Sequence, residues 1–288
     1  MLRNLAKRLF DDRQRRAVKA TLNTAKKRFI DTFLTYDGED LKNVLRRYGI
    51  QDTDTLFVHA NFPNDSGFKG APLDLVNALV ELVGEKGNLL MVSIPFRGSA
   101  YDHLDKGKPF NVKKTLSMMG LVTEMFRRRE GTVRSLHPTH PVLAVGKDAA
   151  DIVAGHESSR FPCGEETPFA KFRDLGGKIL FYDVSFGGIT FFHHVEEMLR
   201  ERIPYQVFHD RLFSVTAIDD EGQERTVETY VYNPELKRDA FKLEAEMIRQ
   251  GKHRKGRVGN SRFVLVSAED VVSCFSAMVE AGDYPYEL

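Results

Sequence analysis

Two histidines and two carboxylates stand close together in the segment 187–197. His193 and Glu196 are three residues apart, and His194 and Glu197 are their neighbours, in a stretch whose apolar spacing predicts an amphipathic helix. Side chains three or four residues apart meet on one face of a helix. An imidazole near the positive end of a helix favours its neutral form, and a carboxylate one turn later fixes its tautomer. This combination is typical of a general base that works near neutral pH.

The elements around this segment position it. Thr190 follows two glycines and is predicted to cap the first turn of the helix. Two other interpretations stay open at this point. A helical histidine beside a glutamate is often only a partly exposed polar pair. Alternatively, His193, His194 and Glu197 would act as ligands in a metal-dependent hydrolase, although no matching motif is found on other predicted helices.

A second histidine, His137, lies in the segment Arg134-Ser135-Leu136-His137-Pro138. The proline restrains His137 to an extended conformation and so fixes its direction in a loop. Arginine and serine side chains such as Arg134 and Ser135 bind anions, phosphate among them. Taken alone, the segment is a weak signal and favours a surface loop whose histidine is satisfied by hydrogen bonds.

The composition describes an ordinary globular protein of 288 residues, 42% apolar and 29% charged. The net charge of +1 implies neither a general nucleic-acid surface nor a strongly acidic substrate trough. Two cysteines are too few for a disulfide framework, and no apolar run has the length of a signal peptide core or a membrane span. We therefore expect a cytoplasmic protein.

Residues 1–30 differ from the rest because they carry ten basic side chains and only two acidic ones. Their apolar side chains form a rough helical stripe, made of Leu5, Leu9, Val18, Leu22 and Phe29. One interpretation is a solvated helix packed on the body or on a partner subunit, as in a homodimer. The other is an interfacial helix that touches anionic lipid and associates the protein with a membrane.

From residue 39 onward, predicted strands alternate with predicted helices, which indicates an α/β sandwich. The predicted helices are 40–49, 73–83, 120–129, 234–250 and 268–280, and the predicted strands are 55–59, 88–94, 142–145 and 178–184. Residues 211–232 predict an antiparallel hairpin, and 256–266 a last strand. No nucleotide-binding glycine loop and no nucleophile elbow is present. An enzyme with this sequence would lack a familiar covalent nucleophile.

From about residue 39 to the C-terminus, the order of these motifs resembles the aminoglycoside 3-N-acetyltransferase family. The Arg-Ser-x-His-Pro motif of that family is intact at 134–138. Its Thr-x-x-His-x-Ala-Glu signature is matched by Thr190, His193 and Glu196, with Val195 in place of alanine. Weaker matches are Val58-His59-Ala60-Asn61, Gly70-Ala71, 164–168 and 256–259.

The resemblance implies a mixed-sheet α/β sandwich with a late antiparallel hairpin, an acetyltransferase domain at 37–288 and an extra basic helical extension at 1–36. It implies transfer of an acetyl group from acetyl-CoA to a primary amine of an amino sugar, without a metal. His193 would be the general base, Glu196 would orient it, Thr190 would donate to the oxyanion, and His137 would shape the site or share the proton transfer. The residues expected to hold acetyl-CoA are His59, Ala60, Asn61, Gly70, Ala71, Arg134 and Ser135.

Four departures from the family pattern bear on these expectations. Ala60 and Asn61 replace two serines, Ile189 stands where asparagine is frequent, and Pro141 stands where a serine is usual. Family members that act on polycationic antibiotics tend to be acidic, whereas this chain is nearly neutral. We therefore expect the acceptor to be either an aminoglycoside or an amino sugar on a nucleotide or lipid carrier in surface-polysaccharide synthesis. A non-catalytic scaffold recruited by the basic helix is the remaining alternative.

Overall fold

Three continuous apolar segments form the centre of the main sheet in the computed structural model, which describes residues 12–287. They are the parallel strands β1 (Thr55–Ala60), β2 (Asn88–Val92) and β6 (Lys178–Tyr182), and β1 pairs with both of the others. Strands that are buried on both faces read as unbroken apolar runs, which is why these three were predictable.

Antiparallel strands extend the sheet on both sides. On one side, β5 (Val142–Gly146) pairs with β2 and β4 (Val133–Arg134) pairs with β5. On the other side, β10 (Ser261–Ser267) pairs with β6 and β9 (Arg254–Val258) with β10, which gives the order β4-β5-β2-β1-β6-β10-β9. The prediction of a single last strand at 256–266 was wrong, because the chain reverses between Val258 and Ser261.

Helices cover both faces of this sheet, since alternate side chains of each strand point to opposite sides. Leu56 of β1 belongs to one apolar core and Phe57 to the other. The first core is covered by α2 (Gly38–Arg47), α3 (Pro72–Val83) and α5 (Leu121–Arg128). The second is covered by α6 (Ala149–Val153), α7 (Pro168–Asp174), α8 (Phe191–Met198), α9 (Ala240–Arg249) and α10 (Ala268–Glu280). The predicted mixed α/β sandwich is confirmed.

A small second sheet contains the predicted hairpin. It consists of β3 (Phe110–Asn111), β7 (Phe213–Ile218) and β8 (Glu224–Thr229), with β7 and β8 antiparallel. The short helix α4 (Ala100–Leu104) packs against it through Leu104, which meets Phe213 in a small apolar cluster.

The N-terminal helix α1 (Asp12–Phe33) lies largely outside both cores. Its side chain Ile30 is buried, and Lys26 forms an ion pair of 2.7 Å with Asp65 of the body. An extra helix was predicted here, although Leu5 and Leu9 of the predicted stripe lie outside the described residues. The domain boundary at residue 36 stays a prediction.

The predicted helix 234–250 begins six residues later than expected. Asp239 caps α9, because its side chain accepts hydrogen bonds from the backbone N–H groups of Phe241 and Lys242. Residues 233–238 therefore form a loop in place of a helical turn, and this loop reaches the candidate site.

Candidate active site

His193 and Glu196 meet on α8 as their spacing predicts. The Nδ1 atom of His193 lies 3.0 Å from Oε2 of Glu196. The Glu196 side chain is completely buried, whereas that of His193 is 21% exposed. Because a carboxylate only accepts hydrogen bonds, Nδ1 carries the proton and Nε2 presents its lone pair. Within the described residues no hydrogen-bond partner occupies Nε2, so that an exposed proton acceptor faces outward from a buried orienting group.

Two further side chains hold Glu196 in place. Nε of Arg238 lies 3.0 Å from both carboxylate oxygens, and the hydroxyl of Tyr286 donates to Oε1 at 3.0 Å. Arg238 is itself fixed by donating to the backbone carbonyls of Val207, Asn233 and Leu236 at 2.9 to 3.1 Å. A buried carboxylate is costly unless it is paired and hydrogen-bonded, and Glu196 has both kinds of partner.

An aromatic wall flanks the imidazole of His193. The ring of Tyr232 stacks on it with centroids 4.1 Å apart, and the ring of His140 meets it edge-on at 5.9 Å. The guanidinium of Arg238 lies over the Tyr232 ring, 5.1 Å from the ring centroid. These contacts restrict rotation of the His193 ring and therefore fix the direction of Nε2.

The surroundings set the protonation states of the pair. Burial lowers the pKa of His193 below its ordinary value, against the opposing effect of Glu196. Burial alone would raise the pKa of the Glu196 carboxyl, but its hydrogen bond with His193 and the charge of Arg238 outweigh that effect and lower it. The resting state is therefore a neutral imidazole beside an ionised carboxylate, as a general base requires.

Thr190 occupies the N-cap position of α8, but the predicted capping bond is absent. Its backbone has helical dihedral angles, φ −71° and ψ −29°, and its side chain makes no capping hydrogen bond. A capping side chain needs an extended backbone at this position, which explains the difference. Thr190 is buried one turn before His193, and its role toward an oxyanion stays a prediction.

His194 and Glu197 point away from the pair. Nδ1 of His194 lies 2.6 Å from the carbonyl oxygen of Cys163, and Oε1 of Glu197 accepts from the N–H of Cys163 at 3.0 Å. Tyr232 donates its hydroxyl proton to the same Glu197 oxygen. The structure does not bring His193, His194 and Glu197 together as the hydrolase interpretation requires. Among residues 12–287, no group of three His, Cys, Asp or Glu side chains is arranged to hold a metal ion.

The segment 134–138 contacts the site through the backbone of His140. His137 is fully buried, and its Nδ1 accepts from the N–H groups of Thr139 and His140 at 3.3 and 3.2 Å, which positions His140. The hydroxyl of Ser135 is bonded to His156, and Arg134 donates to the carbonyls of Ser93, Val112 and Thr115. Their polar groups serve the protein itself, and contact with a cofactor phosphate stays a prediction.

Among the described residues, no hydrogen bond or ring contact joins the other residues expected to hold acetyl-CoA to His193. His59 is buried between the rings of Phe57 and Phe181, and burial lowers its pKa to about 4, so that it is a neutral core histidine. Ala60 is half-buried at the end of β1, and Asn61, Gly70 and Ala71 are exposed in the loops that follow. A cofactor role for these five residues stays a prediction.

Four residues of the site were missed from the sequence: His140, Tyr232, Arg238 and Tyr286. The second His-Pro step, at 140–141, was the available signal for His140. The other three lie 36 to 90 residues beyond Glu196 and carry no motif, so that only the fold brings them together.

The site lies at the edge of the sheet where the central parallel strands end. Pro141 accepts a hydrogen bond from Ser93, directly after β2, and this contact holds the neighbouring His140 at that edge. The chain passes from β1 to β2 on one side and later returns to β6 on the other side, so that the strand order reverses at β1. Open α/β sheets bind ligands at the carboxyl edge beside such a reversal.

Fold and site together define the chain as an α/β protein that carries a neutral, partly exposed histidine hydrogen-bonded to a buried glutamate. Comparison with known proteins gives the family. Residues 57–280 match the family model for aminoglycoside 3-N-acetyltransferases. The chain is 26% identical over 255 residues to aminoglycoside N(3)-acetyltransferase III of Salmonella sp. This alignment covers 81% of this chain and 87% of the relative. It is also 26% identical over 272 residues to aminoglycoside N(3)-acetyltransferase VII of Streptomyces paromomycinus, covering 82% and 88%.

Solved structures agree on the fold. Aminoglycoside acetyltransferase AAC(3)-Xa superimposes with a TM-score of 0.76 at 22% identity, covering 92% of this chain and 99% of that one. The AAC-IIIb binary complex with CoASH gives a TM-score of 0.72 at 22% identity, covering 88% and 100%. The chain belongs to the aminoglycoside 3-N-acetyltransferase family. It is an acyltransferase, and its cosubstrate is acetyl-CoA.

Proposed function

We propose that this enzyme transfers the acetyl group of acetyl-CoA directly to a primary amine of an amino sugar, with His193 as the general base. The observation that carries the proposal is the geometry of the pair, in which buried Glu196 holds Nδ1 and leaves Nε2 as the exposed acceptor. A thioester is already activated toward amines, so that no protein nucleophile is required.

The proposed reaction has one attack and one proton transfer. The amine nitrogen attacks the thioester carbonyl carbon, and the resulting oxyanion collapses with loss of the CoA thiolate. The proton lost from nitrogen passes to Nε2 of His193. A simple amine has a pKa of about 10.4 in the manner of lysine, so that removal of a proton as the C–N bond forms is the step that a base at neutral pH accelerates. Glu196 stabilises the imidazolium, and Arg238 holds Glu196 and thereby keeps the ring in place.

Proton removal is tested by replacing His193 with glutamine and measuring release of the CoA thiol. We expect kcat to fall by about two to four orders of magnitude, with the melting temperature nearly unchanged. The matched control is His194→Gln, the adjacent residue of the same type. It loses a buried hydrogen bond to Cys163 and some stability, but kcat should stay within about threefold. Equal losses of kcat in both variants would reject the assignment of the base.

An acidic pocket of about 430 Å³ supports a cationic acceptor. It adjoins the 233–238 loop that holds Arg238, and three carboxylates line it: Asp102, Asp210 and Glu235. Its nine lining residues, all in the described part of the chain, include no lysine or arginine. Carboxylates concentrated in a cleft attract polycations and raise their local concentration. This pocket favours an acceptor with several ammonium groups, such as an aminoglycoside, over a sugar on an anionic carrier.

The acceptor class is tested by a CoA-release screen across aminoglycosides and amino-sugar nucleotides. With the better substrate, Asp210→Asn together with Glu235→Gln should raise KM by about tenfold and leave kcat within a few-fold. The control pair Asp52→Asn and Glu85→Gln removes the same charge at exposed positions that do not line the pocket. Turnover of amino-sugar nucleotides alone would exclude the polycationic acceptor and support the polysaccharide precursor. The base assignment would survive that outcome.

The cellular location and the oligomeric state of the enzyme are also proposals. A homodimer stays a proposal, and light scattering of the purified protein would test it. A cytoplasmic location fits the two buried free cysteines. A peripheral membrane contact would be made by α1.

A further inference from the structure

The helix α1 carries an apolar stripe that nothing covers within the described residues. Val18, Leu22, Phe29 and Phe33 are 46%, 64%, 55% and 70% exposed, and their spacing of four, seven and four residues places them on one side of the helix. Ile30, about 60° around the helix from Phe33 and about 80–120° from the other three, is the side chain that packs into the body. The stripe is therefore separate from the surface by which α1 is attached.

Basic side chains border the stripe along its length. Seven lysines and arginines lie between Asp12 and Phe33 against two aspartates. Lys19 and Lys26 lie along one border and Arg28 along the other, and all three are exposed. Lys26 and Lys27 have carboxylate partners in Asp65 and Asp31, at 2.7 and 3.0 Å, and these pairs are exposed to solvent. Exposed pairs of this kind are weak and are readily exchanged for other anions.

The charge of the molecule is strongly divided. Residues 1–33 contain ten of the 42 lysines and arginines and three of the 41 acidic residues, a net charge of +7. The remaining residues hold 32 basic and 38 acidic side chains, a net charge of −6. An anionic partner is thus attracted by this helix and repelled by the body, which restricts the contact to one end of the molecule.

We propose that α1 is a docking surface for the anionic lipid face of a membrane. A lipid surface satisfies both features at once, because its headgroup charge meets the bordering cations and its acyl boundary accepts the leucine and phenylalanine side chains. Nucleic acid would use the charge and leave the apolar stripe in water. A second copy of the chain would bury the stripe but bring two strongly basic helices together. No helix of residues 12–287 is long and apolar enough to cross a membrane.

The proposal predicts vesicle binding by the full-length chain that depends on charge and on the stripe. Co-sedimentation is measured with vesicles of phosphatidylcholine alone and of phosphatidylcholine mixed with phosphatidylglycerol. We expect binding to the mixed vesicles only, weakened by salt. Each cation near an anionic surface strengthens binding about fivefold, so that Lys19→Gln with Lys26→Gln and Arg28→Gln should weaken it by a hundredfold or so.

Two pairs of variants separate the causes. Leu22→Ser with Phe29→Ser should abolish binding, whereas Leu121→Ser with Ile248→Ser, equally exposed elsewhere, should not. The charge control is Arg47→Gln with Lys86→Gln and Lys147→Gln, all exposed on the body. Helix content by circular dichroism and CoA release in solution should be unchanged in every variant. This inference is independent of the proposed acceptor and base, because turnover without vesicles does not involve α1.

Three results would overturn the proposal. The first is failure of the wild type to bind mixed vesicles at low salt. The second is a dimer in light scattering that the Leu22→Ser/Phe29→Ser variant converts to a monomer, which would identify a second copy as the occupant. The third is retention on duplex DNA that survives loss of the stripe, together with equal binding to both vesicle types.

Discussion

Replacing Arg238 with glutamine would test how the protein controls its base. Nδ1 of His193, one Glu196 oxygen and Nε of Arg238 lie in sequence with 3.0 Å between neighbours. The guanidinium is therefore at most about 6 Å from the imidazole, where it opposes protonation of His193. Arg238→Gln removes that repulsion and also leaves the buried Glu196 charge with fewer partners.

The size of the effect follows from these distances. At an effective dielectric constant of about 20, unit charges about 6 Å apart interact by roughly 2.8 kcal/mol, or about two pKa units. Part of this is lost because Glu196 then binds protons more readily. We expect the pKa of His193 to rise and the acid limb of the kcat/KM profile to move upward by roughly one to two pH units. Loss of one partner of a buried ion pair should lower the free energy of unfolding by about 3–5 kcal/mol.

The assay is continuous CoA-thiol release from pH 5.5 to 9.5, with each variant's folded range first mapped by urea. At pH 7 the variant should have a lower kcat/KM than the wild type, and the difference should shrink as the pH rises. The control is Arg160→Gln, an arginine whose Nε and Nη2 contact Glu228 at 3.0 and 2.8 Å on the surface. Exposed pairs contribute about 0–1 kcal/mol, so that this variant should keep both its stability and its pH profile.

An acid limb that stays at the wild-type pH in folded Arg238→Gln would refute the reasoning. The groups that face His193 are Glu196, Arg238, Tyr232 and His140, and Arg238 is the cation among them that is held by backbone carbonyls. An unchanged limb would mean that the proton acceptor of the reaction lies elsewhere. A loss of kcat that is the same at every pH would assign Arg238 a purely structural role.

Three further predictions concern buried polar groups. Tyr286→Phe removes a hydrogen-bond donor to Glu196 and should lower kcat several-fold at unchanged KM. The control is Tyr205→Phe, at a ring that packs edge-on against Tyr286, and it should leave kcat unchanged. Burial raises the pKa of Glu197 to about 8, so that the folded state takes up a proton between pH 4.5 and 8 and loses stability as the pH rises through that window. Glu197→Gln should therefore increase the free energy of unfolding at pH 8 by about 4 kcal/mol, seen as a higher urea midpoint, and an unchanged midpoint would contradict a neutral Glu197. Burial lowers the pKa of five histidines: His59, His137, His140, His156 and His194. Because these histidines gain protons on unfolding, the free energy of unfolding should fall below pH 6.5 by at least about 2 kcal/mol per pH unit in urea titrations. A profile that stays flat down to pH 5 would contradict this prediction.

Much of the fold was predictable because the central strands have local signatures. β1, β2 and β6 are unbroken apolar runs, and α3 and α10 carry regular apolar periodicity. The pair of His193 and Glu196 was predictable for the same reason, since three-residue spacing on a helix is a local property. Errors arose where a local signal was ambiguous. Strand β9 (Arg254–Val258) has three basic residues and lies at the edge of the sheet. Its sequence therefore has no apolar pattern that would predict its pairing with β10.

The support of the pair was not predictable because it depends on contacts distant in sequence. Arg238 was assigned to a helix by its charged surroundings, whereas Asp239 starts the helix one residue later and leaves Arg238 in a loop. Tyr286 reaches Glu196 from 90 residues away. The role of Arg134 was read from its type as anion binding, but its guanidinium is used by three backbone carbonyls that no sequence pattern specifies.

The carbonyls that anchor Arg238 have a consequence for how the enzyme can change. Val207, Asn233 and Leu236 hold the guanidinium through their backbone oxygens, which are the same whatever side chain each residue carries. The side chains of the same loops, with Asn233 and Glu235 among them, line the acidic pocket. If the pocket binds the acceptor as proposed, substitutions on these loops would alter which acceptor is recognised while Arg238, Glu196 and His193 keep their arrangement. Because the pocket depends on side chains and the Arg238 anchor on backbone oxygens, point mutations in these loops would change the amine that is accepted. Selection would then have to conserve the conformation of the loops.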